Sequence, residues 1–127
     1  MTDFPITIFH NPACGTSRNV VGIVRAAGYK PTVVEYLKAG WTREQLVELL
    51  AAMALRPRDI LREKGTPAAE LGLLDPSVQD EDILLQMVAH PMLVNRPIVA
   101  TPLGVKLARP SGAVLDLLDR RPESFTK

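Results

Sequence analysis

The spacing of apolar residues predicts short strands and helices in a definite order. Ile6-Thr7-Ile8-Phe9 is β-branched and aromatic, as a short buried strand should be, and it ends at His10-Asn11-Pro12, where proline forbids further ladder pairing. From Ser17, apolar Val20, Ile23, Val24 and Ala27 recur at helical spacing, and Gly28 supplies a left-handed stop. Thr32-Val33-Val34-Glu35-Tyr36 returns to strand character, which closes a β-α-β unit. Thr42 and Gln45 form a capping-box pattern ahead of Leu46, Leu49, Leu50 and Met53, so a helix is expected from about Thr42 to Ala54. Pro57 opens a further short helix. Between Arg56 and Ser77, Pro57, Gly65, Pro67, Gly72 and Pro76 should break the chain into short helical pieces.

Asp80 begins another helix with Ile83, Leu84, Met87 and Val88 inward, stopped by His90-Pro91. Pro97-Ile98-Val99-Ala100, the turn Thr101-Pro102-Leu103-Gly104, and Val105-Lys106-Leu107 read as a β-hairpin. Ser111 is the expected cap of a last helix with apolar Val114, Leu115, Leu117 and Leu118. The order β-α-β, helical insertion, β-β-α resembles the thioredoxin fold: an α/β domain with a small mixed four-stranded sheet, helices on both faces and helices inserted between its halves. One domain over residues 1–118 is expected, followed by a short polar tail, 119–127, that should fray.

Composition narrows the chemistry. At 127 residues and 46% apolar, the chain suits one core and one site. The 15 basic and 14 acidic residues nearly cancel and do not gather in blocks, so neither nucleic acid nor an anionic membrane is an expected partner. No apolar run approaches a membrane span and no signal-peptide pattern follows Met1, which leads us to expect a cytoplasmic protein. With one cysteine and only His10 and His90, neither an internal disulfide nor a dedicated metal cage is expected, and any redox chemistry must recruit a second thiol from outside.

That cysteine, Cys14, lies between a strand and a helix start in Asn11-Pro12-Ala13-Cys14-Gly15-Thr16-Ser17-Arg18-Asn19. Unpaired N–H groups and the helix dipole there favour negative charge, stabilising a thiolate and cradling an oxyanion. A free thiol titrates near ~8.5, whereas helix N-termini and nearby cations bring it to roughly 3.5–7.5. Gly15, Thr16 and Ser17 are therefore candidate anion ligands. Ser17 stands where dithiol oxidoreductases keep their resolving cysteine, so this chain cannot resolve a mixed disulfide alone.

The run from His10 to Asn19 resembles the active-site signature of the glutaredoxin-linked arsenate reductases. The likeness continues through Tyr36-Leu37, Ile60-Leu61-Arg62, Leu71-Gly72-Leu73, His90 to Leu103 and Arg109-Pro110-Ser111, covering roughly residues 6 to 118. It implies Cys14 as nucleophile, Arg62, Arg96 and Arg109 as anion-binding arginines, and His10 as a group that helps set the thiol's ionisation. Pro97 corresponds to the proline that is typically cis in thioredoxin-like folds and faces the cysteine loop, which would aim Arg96 at the substrate.

The implied reaction is arsenate reduction: Cys14 attacks arsenic, glutathione attacks the adduct, and glutaredoxin removes the glutathione left on Cys14. No bound cofactor or metal is expected; glutathione is a co-substrate. Two rivals remain at this stage, a redox-responsive transcription regulator of the Spx type and a thiol-transfer module with another substrate. Spx-type proteins usually carry Cys-x-x-Cys and lack the anion signature, so Ser17 and the arginines count against the first.

Overall fold

Four short strands and the helices between them follow the expected order in a computed structural model that describes residues 4–119. The polar tail from residue 120 onward lies outside the described residues. Strand β1 (Thr7–His10) pairs in parallel with β2 (Thr32–Glu35) and antiparallel with β3 (Ile98–Thr101), which turns back into antiparallel β4 (Gly104–Leu107). The sheet order is β2-β1-β3-β4, the mixed four-stranded sheet of the thioredoxin-like fold.

The chain divides into two compact units, one formed by residues up to Tyr36 together with those from Arg96 onward, the other by Leu37–Asn95. In the first, helix α1 (Gly15–Ala26) and a 3-10 helix (Ser111–Leu117) pack against each other over the sheet. Ile8 and Val99 meet Val20, Val24, Val114 and Leu117 there, all at or near zero exposure. Each such side chain contributes roughly 1.5–3 kcal/mol on burial. Cys14 is the N-cap of α1, so the helix begins at Gly15, two residues earlier than the apolar spacing alone marked. Gly28 ends it with φ of 97°.

The second unit is helical. Helix α2 is a single turn (Tyr36–Ala39); Tyr36, expected in the strand, starts it instead. Thr42 caps α3 (Arg43–Met53) by accepting the Gln45 N–H at 3.1 Å, as the sequence indicated. Leu46, Leu49 and Leu50 turn inward toward Ile83, Leu84 and Met87 of α4 (Asp80–Ala89), and short 3-10 helices at Pro57–Ile60 and Pro91–Leu93 pack against α4. The intervening stretch is irregular, as its prolines and glycines require. It is held by Arg58, whose guanidinium donates to the carbonyls of Leu73, Asp75 and Val78 at 3.0–3.3 Å. One expectation fails at the last helix. Pro110, not Ser111, occupies its N-cap position without a side-chain bond, and the element is 3-10 rather than α.

Candidate active site

The loop between β1 and α1 is organised by Asn11, a residue the sequence reading passed over. Its carbonyl accepts the Cys14 N–H at 3.0 Å, its side-chain Oδ1 accepts the Ala13 N–H at 3.0 Å, and its own N–H donates to Ser17 Oγ at 3.3 Å. Asn11 is 7% exposed and Ser17 fully buried, so these bonds are shielded from competing water. An Asn-Pro pair is a turn signal, the one hint the sequence carried. The result is an Asx turn that fixes Cys14 in an extended conformation (φ −96°, ψ 121°) at the helix start.

In that conformation the Cys14 thiol collects several opposed influences. Burial pushes its pKa up, but the backbone N–H groups of Ser17 and Thr16, the Arg109 side chain and the charge of Arg96 together bring it down from 9.0 to about 7. Arg109 Nη1 lies 3.7 Å from Cys14 Sγ and donates to the Arg96 carbonyl at 2.9 Å. Arg109 also stands two residues beyond Leu107 of β4, whose carbonyl accepts its backbone N–H at 2.9 Å. Thus the end of the hairpin delivers a cation to the start of α1. Both the Arg96–Pro97 and Arg109–Pro110 peptide bonds are cis; the second was not foreseen.

Of the residues singled out from sequence, Cys14, Gly15, Thr16, Ser17, Arg96, Pro97 and Arg109 share the first unit with His10. The Ser17 hydroxyl faces Asn11, so Ser17 addresses the thiol through its backbone N–H. His10, at the end of β1 opposite Glu35, is buried, and its Nδ1 has no hydrogen-bond partner among the described residues. Burial lowers its pKa below 6.5; Glu35 opposes this and the charges of Arg25 and Arg18 reinforce it, so the imidazole is neutral at neutral pH. Arg62 belongs to the second unit, where its N–H donates to the Leu93 carbonyl at 2.7 Å and its own carbonyl accepts from Thr66 Oγ1 at 2.7 Å. No helix among the described residues is long and apolar enough to cross a membrane.

A strand-loop-helix that presents one cysteine of lowered pKa to two arginines, on a sheet of this order, defines a thioredoxin-like thiol protein. Comparison with known proteins is specific beyond that. The ArsC family model matches residues 9–117, and the chain belongs to this family. It is 59% identical over 122 residues to the arsenate reductase ArsI1 of a Synechocystis species, covering 96% of this chain and 85% of that one. The arsenate reductase of Escherichia coli is 47% identical over 123 residues, covering 96% and 87%. Among solved structures, an arsenate reductase from Vibrio cholerae superposes with a TM-score of 0.87 at 31% identity, covering 92% of this chain and all of that one.

Proposed function

We propose that this protein is an arsenate reductase, a cytoplasmic enzyme in which Cys14 is the nucleophile and glutathione and glutaredoxin supply the remaining thiols. One observation carries the reading: the chain's single thiol, with its pKa near 7, sits against two N–H groups and the Arg109 guanidinium, a setting suited to both a thiolate and a tetrahedral oxyanion. The names of its relatives, at 47–60% identity, supply the substrate.

Cys14 thiolate bonds to arsenic of arsenate as one oxygen leaves as water, with Arg96 and Arg109 offsetting the oxyanion charge. Glutathione thiolate then forms a disulfide with Cys14 as the sulfur–arsenic bond breaks. Arsenic keeps that electron pair, falls from pentavalent to trivalent, and departs as arsenite. Two thiols have lost one electron each, which balances the two-electron reduction. A glutaredoxin thiol takes the glutathione and frees Cys14. No bound cofactor or metal takes part in this scheme. His10 remains neutral beside the loop, and an anion-binding role for Arg62 rests on the family resemblance. In this reading residues 1–118 act as one catalytic domain, and 119–127 stand apart from the chemistry.

The test is NADPH consumption coupled through glutathione reductase, glutathione and glutaredoxin, with and without arsenate. Wild type should consume NADPH only when arsenate is present, and Cys14→Ser should not, because a hydroxyl does not ionise near neutral pH. Arsenate-dependent turnover surviving in Cys14→Ser would sink the reading.

A further inference from the structure

Beside the cysteine loop, the outer face of α1 borders an open groove of about 430 Å3, lined by Arg18, Asn19, Gly22, Ile23, Ala26 and Ser111. Every one of these residues belongs to the first unit. The size is within the range of small-molecule sites, roughly 300–1,000 Å3. We propose that this groove seats the external thiol: a short peptide thiol bearing a free carboxylate, bound with the carboxylate at Arg18 and its backbone along Gly22 and Ile23. This rests on the arsenate reductase reading for the role of that thiol, though not for the groove itself.

Arg18 is placed for such a contact. Its backbone N–H donates to the Cys14 carbonyl at 3.0 Å, and Nη1 donates to the Pro12 carbonyl at 2.9 Å. A Cβ on Gly15 would lie 3.7 Å from Nη2, so the guanidinium lies over the turn next to the nucleophile. One of its five donors is thereby committed to the loop, and the exposed remainder of the fork suits a carboxylate. The nearest large apolar wall is Ile23, half-buried against the core cluster.

Gly22 gives a second argument. A glycine in an exposed helix interior destabilises by about 1 kcal/mol relative to alanine, and a Cβ at this position would meet nothing within 4 Å. Packing therefore does not require the glycine, and its missing side chain leaves the floor of the groove open to a ligand's backbone. Length is also consistent. From Arg18 to Ala26 the helix rises about 12 Å, whereas three extended residues reach about 10 Å. A peptide thiol whose cysteine adjoins its C-terminal residue keeps the sulfur about 3.8 Å of chain from the carboxylate at Arg18, and so at the Cys14 end of the stripe.

The groove can be tested without arsenate. Cys14 thiolate attacks glutathione disulfide, forming the Cys14–glutathione disulfide and releasing one glutathione thiolate; uncharged hydroxyethyl disulfide undergoes the same exchange with no carboxylate to bind. The ratio of the two rates cancels any change in the thiol's own reactivity. Arg18→Ala should lower the ratio by about threefold to tenfold, as for the loss of one partly screened charge-assisted contact. Arg18→Glu should lower it further. Gly22→Leu should lower it by filling the floor, while Gly22→Ala should keep it and raise the melting temperature. An unchanged ratio in Arg18→Ala and Arg18→Glu overturns the proposal, whether or not Gly22→Leu folds. The outcomes also separate from the parent reading: a flat ratio with normal arsenate turnover removes the groove alone, and a shifted ratio without arsenate turnover removes arsenate alone.

Discussion

At the scale of single residues, the Cys14 thiolate depends on where N–H groups point, and Asn11 decides that. Removing its side chain frees the Ala13 N–H and loosens the turn that aims the Thr16 and Ser17 N–H groups at sulfur. Asn11→Ala should therefore raise the Cys14 pKa from about 7 toward its ordinary 9.0, read as ultraviolet thiolate absorbance against pH, and slow alkylation by iodoacetamide in mild acid. Asn11→Ser, which can form a weaker turn of the same kind, should fall between. An unmoved titration in a folded Asn11→Ala protein would leave the turn a purely structural feature. Arg96 poses a different question, that of charge against shape. Arg96→Lys preserves the charge near Cys14 but replaces a planar fork with a compact ammonium. If the fork grips arsenate through two bonds, kcat/KM should fall at least tenfold, since charge-assisted hydrogen bonds contribute about 1.5–3 kcal/mol and ~1.4 kcal/mol is tenfold. A nearly unchanged kcat/KM would make Arg96 a point charge. Arg43, in the exposed first turn of α3, is no neutral control for such a substitution: it donates to the Glu81 carboxylate through two nitrogens at 2.6 and 2.7 Å.

At the scale of elements, Arg58 does for an irregular stretch what a ladder does for a strand. Its guanidinium binds the carbonyls of Leu73, Asp75 and Val78, bracing a turn in which the Val78 N–H also donates to the Asp75 carbonyl at 3.1 Å. Arg58→Ala should lower unfolding stability by about 1.5–3 kcal/mol in urea titrations and speed proteolysis between Leu73 and Val78. Arg58→Lys should restore little, because one ammonium cannot span carbonyls that a fork holds apart. Protection equal to wild type in Arg58→Ala would show that the prolines alone fix this segment. The same residue shows where the sequence is mute. Helices α1, α3 and α4 and the β3–β4 hairpin were legible because periodicity and caps are local patterns. Arg58 was not, since its partners are backbone carbonyls 15 to 20 positions away. Nor was the 3-10 character of Ser111–Leu117: over seven residues, Ser111, Val114 and Leu117 fit a three-residue turn as well as apolar spacing fits an α-helix. Around Cys14 the loop itself was readable, but Arg109 lies 95 positions from it, and only resemblance to a family connected the two.

At the scale of the whole molecule, strands distant in sequence close one sheet around β1, and the buried end of that strand makes stability depend on pH in a resolvable way. Three sets of groups titrate in separate windows. Asp75, Asp80 and Glu81 have pKa values lowered below 3.8, 3.8 and 4.5, Asp75 by bonds from Ser77, Asp80 by the Arg56 side chain and Glu81 by the Arg43 side chain. Their contribution is complete above those ordinary values and is lost only in strong acid. His10 is a base whose folded pKa lies below 6.5, chiefly because burial disfavours the imidazolium. Between its folded and unfolded pKa values the unfolded chain binds more protons, so stability rises with pH up to about 6.5 and falls as His10 is forced to charge in the fold. Cys14 is an acid lowered from 9.0 to about 7, so it too binds more protons when unfolded between those values, and stability climbs again from about 7 to 9. Melting temperature measured across pH should thus show a rise ending near 6.5 and a second rise through the alkaline range. Cys14→Ser should erase only the second and His10→Gln only the first, because glutamine keeps a polar side chain but cannot titrate. Should His10→Gln leave the slope below 6.5 intact, the buried imidazole does not set that window, and the carboxylates extend higher than their hydrogen bonds imply.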